Sequence, residues 1–254
     1  MNYKLELELL KEITKRIYEE TLNLNMETNF KSTQDLVTSN DLYIERRLIE
    51  EIKKVFPNDH FHTEEGHNKA ALQNRTWVID PIDGTSNYAA NLELFVIQIA
   101  LYEDNETVLA YMYAPKLNST YYAIKGYGAY LNEERYFANH KKDLTFMVLL
   151  VGLTQKRKNK EYYHRLIDLS IKQMYKIRML GTIGLELAKM SEGAFDICYT
   201  NITNLWDLLP GVLLAKESGC ILVNERGLPY KIGDENLFIA RNEKSLAIIK
   251  NEIL

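Results

Sequence analysis

The run Trp77-Val78-Ile79-Asp80-Pro81-Ile82-Asp83-Gly84-Thr85-Ser86-Asn87 constrains the fold of this chain more than any other feature. Trp77 to Ile79 is apolar and β-prone, and Pro81 has no N–H to give to a central ladder, so a strand is predicted to stop near Asp80. Two carboxylates then stand at a sheet end, followed by a residue able to turn tightly, Gly84, and a helix predicted to begin near Thr85. A hard cation such as magnesium takes oxygen ligands and keeps several waters, so Asp80, Asp83 and the Ile82 carbonyl are a plausible part of its shell. Free N–H groups of Gly84 and Thr85 would face a phosphate at the same point. Asp, Pro and Gly also make ordinary turns, which is the alternative for a bare Asp-x-x-Asp-Gly.

More of the chain bears on the choice. Lys31-Ser32-Thr33-Gln34-Asp35-Leu36-Val37-Thr38-Ser39-Asn40-Asp41 and Glu64-Glu65-Gly66 precede the run. Ala123-Ile124-Lys125-Gly126-Tyr127-Gly128-Ala129-Tyr130-Leu131-Asn132 and Trp206-Asp207-Leu208-Leu209-Pro210-Gly211 follow it. In order and spacing these motifs resemble the inositol monophosphatase family of metal-dependent phosphatases, over nearly the whole chain.

The resemblance implies an α/β (α+β layered) fold of the sugar-phosphatase type, an αβαβα sandwich with its site in the crevice between two halves. It implies two or three Mg2+ per site: one held by Glu64, Asp80 and the Ile82 carbonyl, a second by Asp80, Asp83 and Asp207, with Glu65 in support. Asp41, Glu64 and Thr85 would be catalytic, Asp41 orienting the Thr85 hydroxyl and that hydroxyl the attacking water. Asp83, Gly84, Thr85, Gly181, Thr182, Ile183 and Thr200 would meet phosphate or substrate, and Lys31 would steer the anion. Carboxylates gathered from distant segments repel and raise one another's pKa unless a cation compensates, which gives a physical reason for a metal. Lithium inhibition and a two-fold homodimer are further implications.

Members that act on inositol phosphates carry an acidic residue where this chain has Thr200, and a small one where it has Ile183. The expected activity is therefore magnesium-dependent hydrolysis of a small polyol or sugar phosphate. Adenosine 3′,5′-bisphosphate, fructose 1,6-bisphosphate and histidinol phosphate are alternatives, and a scaffold binding a protein or an RNA–protein complex is the alternative of another class.

At 254 residues the chain can bury a large core, and a net charge of −4 gives no broad surface for nucleic acid or anionic lipid. Cys198 and Cys220 read as reduced core thiols. The first residues, Met1 to Glu6, lack the basic start and unbroken apolar run of a signal peptide, and no run spans a membrane, so a cytoplasmic location with a small phosphorylated metabolite as partner is expected. His60, His62 and His67 match no closed zinc spacing. The 17 tyrosines fit strand and core packing better than a base-stacking platform.

Leu5, Leu9, Ile13 and Ile17, then Ile44, Leu48, Ile52 and Val55, predict two amphipathic helices with a loop carrying Lys31 and Asp41 between them. Antiparallel strands are predicted over Leu94–Tyr102, Thr107–Tyr113, Thr120–Ile124 and Ala129–Leu131. The charged segment Lys141–Lys160, around an apolar strand Phe146–Val151, suggests a boundary between halves at 1–142 and 143–254. Alternating helices and strands are predicted beyond it, among them a strand Ile177–Leu180 and helices over Gly184–Ser191 and Asp207–Glu217.

Overall fold

The computed structural model describes residues 2–32, 35–66, 72–140, 147–152 and 160–254. Thr33, Gln34, His67, Phe146 and most of the charged boundary segment lie outside the described residues.

Helix α1 (Lys4–Thr21) and helix α2 (Ser39–Val55) pack side by side. The buried stripe of α1 is Leu7, Leu10, Ile13, Ile17 and Tyr18, whereas Leu5 is exposed. On α2, Ile44, Leu48 and Ile52 are buried and Val55 is exposed. A strict four-residue repeat drifts about 40° per step around a helix of 3.6 residues per turn, so the outermost members leave the core face. Between the helices runs a hairpin, β1 (Thr28–Ser32) and β2 (Asp35–Thr38), in place of the expected loop.

A seven-stranded sheet follows in sequence order: β3 (His60–Thr63), β4 (Thr76–Asp83), β5 (Val96–Glu103), β6 (Glu106–Ala114), β7 (Ser119–Ile124), β8 (Gly128–Leu131) and β9 (Glu134–Tyr136). β3 and β4 are parallel and every other neighbouring pair is antiparallel. The second sheet has five strands, β10 (Val148–Gly152), β11 (Lys176–Arg178), β12 (Ile197–Thr200), β13 (Ile221–Val223) and β14 (Leu237–Ala240), in the order β11-β10-β12-β14-β13. It is mixed, β10 running parallel to β11 and β12 while β14 opposes β12 and β13.

Helix α5 (Ile183–Ser191) and helix α6 (Leu205–Glu217) lie between the sheets, and α4 (Lys160–Gln173) and α7 (Glu243–Ile248) cover the outer face of the second. This is a five-layer αβαβα sandwich. Strand alternation explains the layers. Trp77, Ile79, Ile97, Ile99, Leu101 and Leu109 turn toward α1 and α2, while Val78, Ala100, Ala110 and Ala123 turn toward α5 and α6. The smaller side chains let the inner helices approach closely. Where α5 and α6 themselves meet, a Cβ on Gly211 would come 2.4 Å from Leu187, so only glycine fits. Both helices are buried nearly all round, because each has a sheet on either side.

Cys198 and Cys220 are buried free thiols. Tyr111, Tyr121 and Tyr199 are fully packed, and Tyr122 stacks on Tyr130 with ring centroids 4.9 Å apart. No helix among the described residues is long and apolar enough to cross a membrane.

Candidate metal centre

Strand β4 does not stop at Asp80. It runs through Pro81 to Asp83, with its pairing to β5 irregular between Asp80 and Asp83, so the residue without an N–H falls where the ladder is interrupted. The irregularity re-aims the chain, and both carboxylates reach the same point. Asp207, in the first turn of α6, arrives there from the other side. Ligand oxygens of Asp80, Asp83 and Asp207 all lie within 4.8 Å of one another.

Each carboxylate is held by its own donors. Asp80 accepts the Ile82 N–H at 3.1 Å and the Gln98 amide N–H at 3.2 Å. Asp83 accepts the Thr182 hydroxyl at 2.5 Å and the Ile183 and Gly184 N–H groups at 3.2 and 2.6 Å, so it caps the start of α5. Asp207 accepts the Asn204 amide at 3.0 Å. Burial pushes the Asp80 and Asp207 carboxyls well up, and Glu64 and their acidic neighbours add to it. Asp83 is pushed up to about 6, chiefly by burial, against the pull of its hydrogen bonds. Glu64 follows β3, its N–H bonded to the Ile79 carbonyl at 3.1 Å, beside β4. It stands outside the close trio, and its charge acts on Asp80 and Asp207.

Asp41 is in the first turn of α2 and not in a loop. It closes a capping box: Thr38 gives Asp41 Oδ2 its N–H at 2.9 Å and its hydroxyl at 2.5 Å, while the Thr38 hydroxyl oxygen accepts the Asp41 N–H. That leaves Oδ1 for the Thr85 hydroxyl at 3.1 Å, and the same hydroxyl lies 2.9 Å from the Ile82 carbonyl. Burial raises the Asp41 pKa against these bonds. Thr85 opens α3 (Thr85–Ala89), at the helix start expected there, and Gly84 before it has φ +92°, which favours glycine.

A cavity of about 470 Å³ opens beside Asp83 and Asp207, and Gly181, Thr182 and Ile183 line it. Thr200 does not. It is fully buried behind Gly152, and its hydroxyl accepts the Ile202 N–H at 3.2 Å. The expected strand over Ile177–Leu180 ends at Arg178, and Met179 and Leu180 become cavity wall. Glu65 is fixed by its N–H, which donates to Glu45 on α2 at 2.8 Å. Lys31 sits in β1, and its side chain lies outside the described part of the structure. Among the described residues the metal-capable cluster contains no histidine, and His62 instead packs on Trp206 with ring centroids 5.3 Å apart.

Four contributors escape the sequence reading. Glu45 holds the Glu65 loop, Gln98 lies behind Asp80, Asn87 ties α3 to the Leu94 and Leu180 carbonyls at 2.8 Å each, and Glu186 lines the cavity. Only Asn87 carried a signal, its place at the end of the Asp-Gly-Thr run.

Carboxylates crowded in this way, Asp80 and Asp83 buried and Asp207 half-buried, fit a hard divalent cation, which takes oxygen ligands and offsets their repulsion. A model of the inositol monophosphatase family matches residues 2–252. The chain belongs to that family. A fructose-1,6-bisphosphatase/inositol-1-monophosphatase of Thermotoga maritima is 34% identical over 91% of this chain and 88% of its own length. A Nus factor SuhB of Xylella fastidiosa is 31% identical over 78% of this chain and 72% of its own. Among solved structures, the Thermotoga maritima IMPase superposes with a TM-score of 0.82 at 27% identity, covering 98% of this chain and 96% of its own. The family fold is the sandwich described above, and membership makes the protein a phosphatase by kinship.

The raised carboxyl pKa values set the sign of a linkage. A carboxyl held protonated to higher pH in the folded protein than in the unfolded chain favours the fold at low pH, and that contribution is lost as pH rises through the folded pKa, about 6 for Asp83. A cation must displace those protons, so it stabilises more where they have already left. The increase in thermal midpoint on adding magnesium to EDTA-treated protein is expected to be near zero at about pH 5 and several degrees at about pH 8. An increment that is level or shrinks over that window would contradict the cluster as the cation site.

Proposed function

We propose that this family member is a magnesium-dependent phosphomonoesterase acting on a small polyol or sugar phosphate. The observation that carries the reading is the meeting of Asp80, Asp83 and Asp207 within 4.8 Å beside a cavity. Those three, with Glu64 and the Ile82 carbonyl, would hold Mg2+, two or three per site. When bound, the metal supplies Lewis-acid stabilisation of phosphoryl oxygens and a water of lowered pKa.

The chain's own groups supply the rest. Thr38 fixes Asp41, and Asp41 with the Ile82 carbonyl fixes the Thr85 hydroxyl. With its proton engaged by Asp41 or Ile82, the Thr85 oxygen is free to accept from, and so orient, an attacking water. Asp83, locked to α5, keeps the metal cluster in register with the cavity wall at Thr182 and Ile183.

The test is phosphate release from inositol 1-phosphate, fructose 1,6-bisphosphate, adenosine 3′,5′-bisphosphate, histidinol phosphate and glycerol 2-phosphate, with magnesium and with EDTA. Turnover should need magnesium, and Thr85→Ala should lower kcat by about 10²–10³-fold with little change in KM. Turnover indifferent to EDTA would sink the reading. The relatives named Nus factor favour one second reading, a protein-binding role. Partner binding of that kind would survive loss of Asp80, whereas phosphate release would not.

A further inference from the structure

Thr200 is fully buried behind Gly152 and does not line the cavity. The wall near Asp83 is otherwise largely apolar, built from Val151, Met179, Ile183 and Ile202. Two polar side chains on it are already engaged: the Thr182 hydroxyl is given to Asp83, and the Asn87 amide N–H groups to the Leu94 and Leu180 carbonyls. Glu186 is different. It projects from the first turn of α5 with 2% of its surface exposed, and its Oε1 accepts the Leu180 N–H at 2.6 Å and the Gly181 N–H at 3.2 Å. Oε1 does the structural bonding, and among the described residues Oε2 is given no hydrogen bond while the residue lines the cavity.

Bracing a wall needs only a neutral acceptor, which an amide supplies without the cost of burying a charge. Here a carboxyl is kept in a site where burial foremost, and the nearby Asp83, push it up to about 7. A carboxyl so perturbed by burial and facing a cleft is a candidate functional group.

We propose that Glu186 is the carboxylate that reads the hydroxyl groups of the substrate's leaving group. The assignment rests on the phosphomonoesterase reading and narrows it to hydroxyl-bearing leaving groups, polyols and sugars. Oε2 accepts one or two O–H donors from the leaving group, while Oε1 keeps the Leu180–Gly181 turn in place.

Glu186→Gln separates the two roles. Its amide oxygen can still accept the Leu180 and Gly181 N–H groups, but the cavity then meets an N–H donor in place of an acceptor. Wild type and Glu186→Gln are compared on inositol 1-phosphate, whose leaving group is a polyol, and on 4-nitrophenyl phosphate, whose leaving group has no further hydroxyl. The variant should lose about 10–100-fold more kcat/KM on the first than on the second, chiefly through KM, with a thermal midpoint within about 2 °C of wild type. Equal losses on both substrates would make Glu186 a wall brace only and overturn the proposal, as would no loss on either. If wild type cleaves only the nitrophenyl ester in magnesium, the hydroxyl assignment fails and the phosphatase reading stands. If it cleaves neither, the phosphatase reading itself fails and this assignment with it.

Discussion

Asp80→Asn is expected to lower magnesium-dependent phosphate release by roughly 10³-fold and, in EDTA, to leave a protein more stable than wild type by on the order of 1 kcal/mol. Both effects have one cause. Asp80 is almost wholly buried, with Glu64, Asp83 and Asp207 adding like charge, so its ionised form is costly until a cation arrives. The new amide can still accept the Ile82 N–H that Asp80 Oδ1 accepts now. It also brings a donor. Once the Gln98 amide rotates, its Oε1 can accept that donor in place of the N–H that Gln98 now gives to Asp80, so one hydrogen bond is exchanged for another. The variant therefore loses a metal ligand while removing a buried charge and keeping hydrogen bonds to Ile82 and Gln98. For a chain of this size 1 kcal/mol moves the thermal midpoint by about 2–4 °C, which differential scanning fluorimetry in EDTA resolves. Adding magnesium should reverse the order, stabilising wild type and not the variant. A variant that is less stable in EDTA, or that keeps more than about a tenth of wild-type turnover, would show that Asp80 is not the centre of the repulsive cluster.

Arg241→Leu should be the more damaging change to the fold. Arg241 follows β14 and gives an N–H to Asp196 Oδ1 at 2.7 Å, with only 4% of its side chain and 10% of that of Asp196 exposed. The other Asp196 oxygen accepts the Val148 N–H at 2.8 Å, and the Asp196 backbone bonds Val148 and Arg241 on either side. The pair thus pins the ends of β10, β12 and β14 together. Removing the guanidinium leaves a buried, uncompensated carboxylate, a loss of about 3–5 kcal/mol. Urea denaturation should show it as a lower midpoint with an unchanged slope. Adding Asp196→Asn should recover most of the loss, because the amide oxygen can still accept the Val148 N–H and no charge is stranded. A single variant within about 1 kcal/mol of wild type would mean that water reaches Asp196.

The carboxylate motifs were legible because they are short and local. Asp80, Asp83 and Thr85 fall within one turn of chain, so their spacing already fixes much of their mutual geometry. Asp207 was legible only through the resemblance, since nothing local ties it to a strand more than a hundred residues earlier. The residues missed are those whose importance is purely spatial. Glu186 reads in sequence as an ordinary polar residue of a helix, and it lines the cavity because α5 is capped by Asp83 and points its first turn there. Gln98 reads as a polar interruption in an apolar strand, and its role exists only because β5 lies beside β4. Thr200 carries the reverse lesson: a position inferred from spacing lies on the right strand, yet its side chain turns behind the wall.

The sequence by itself determined most of the elements, their order and the local Asp80–Asp83 pair, because apolar periodicity, glycine and proline act over a few residues. The tertiary structure alone decided the five layers, with α5 and α6 serving two sheets at once, and the carboxylate pKa shifts, which come from burial and from neighbours brought in by packing. It also decided which side chains face the cavity, because that depends on how a helix start and a distant strand irregularity dock on one another, a relation that no local pattern encodes.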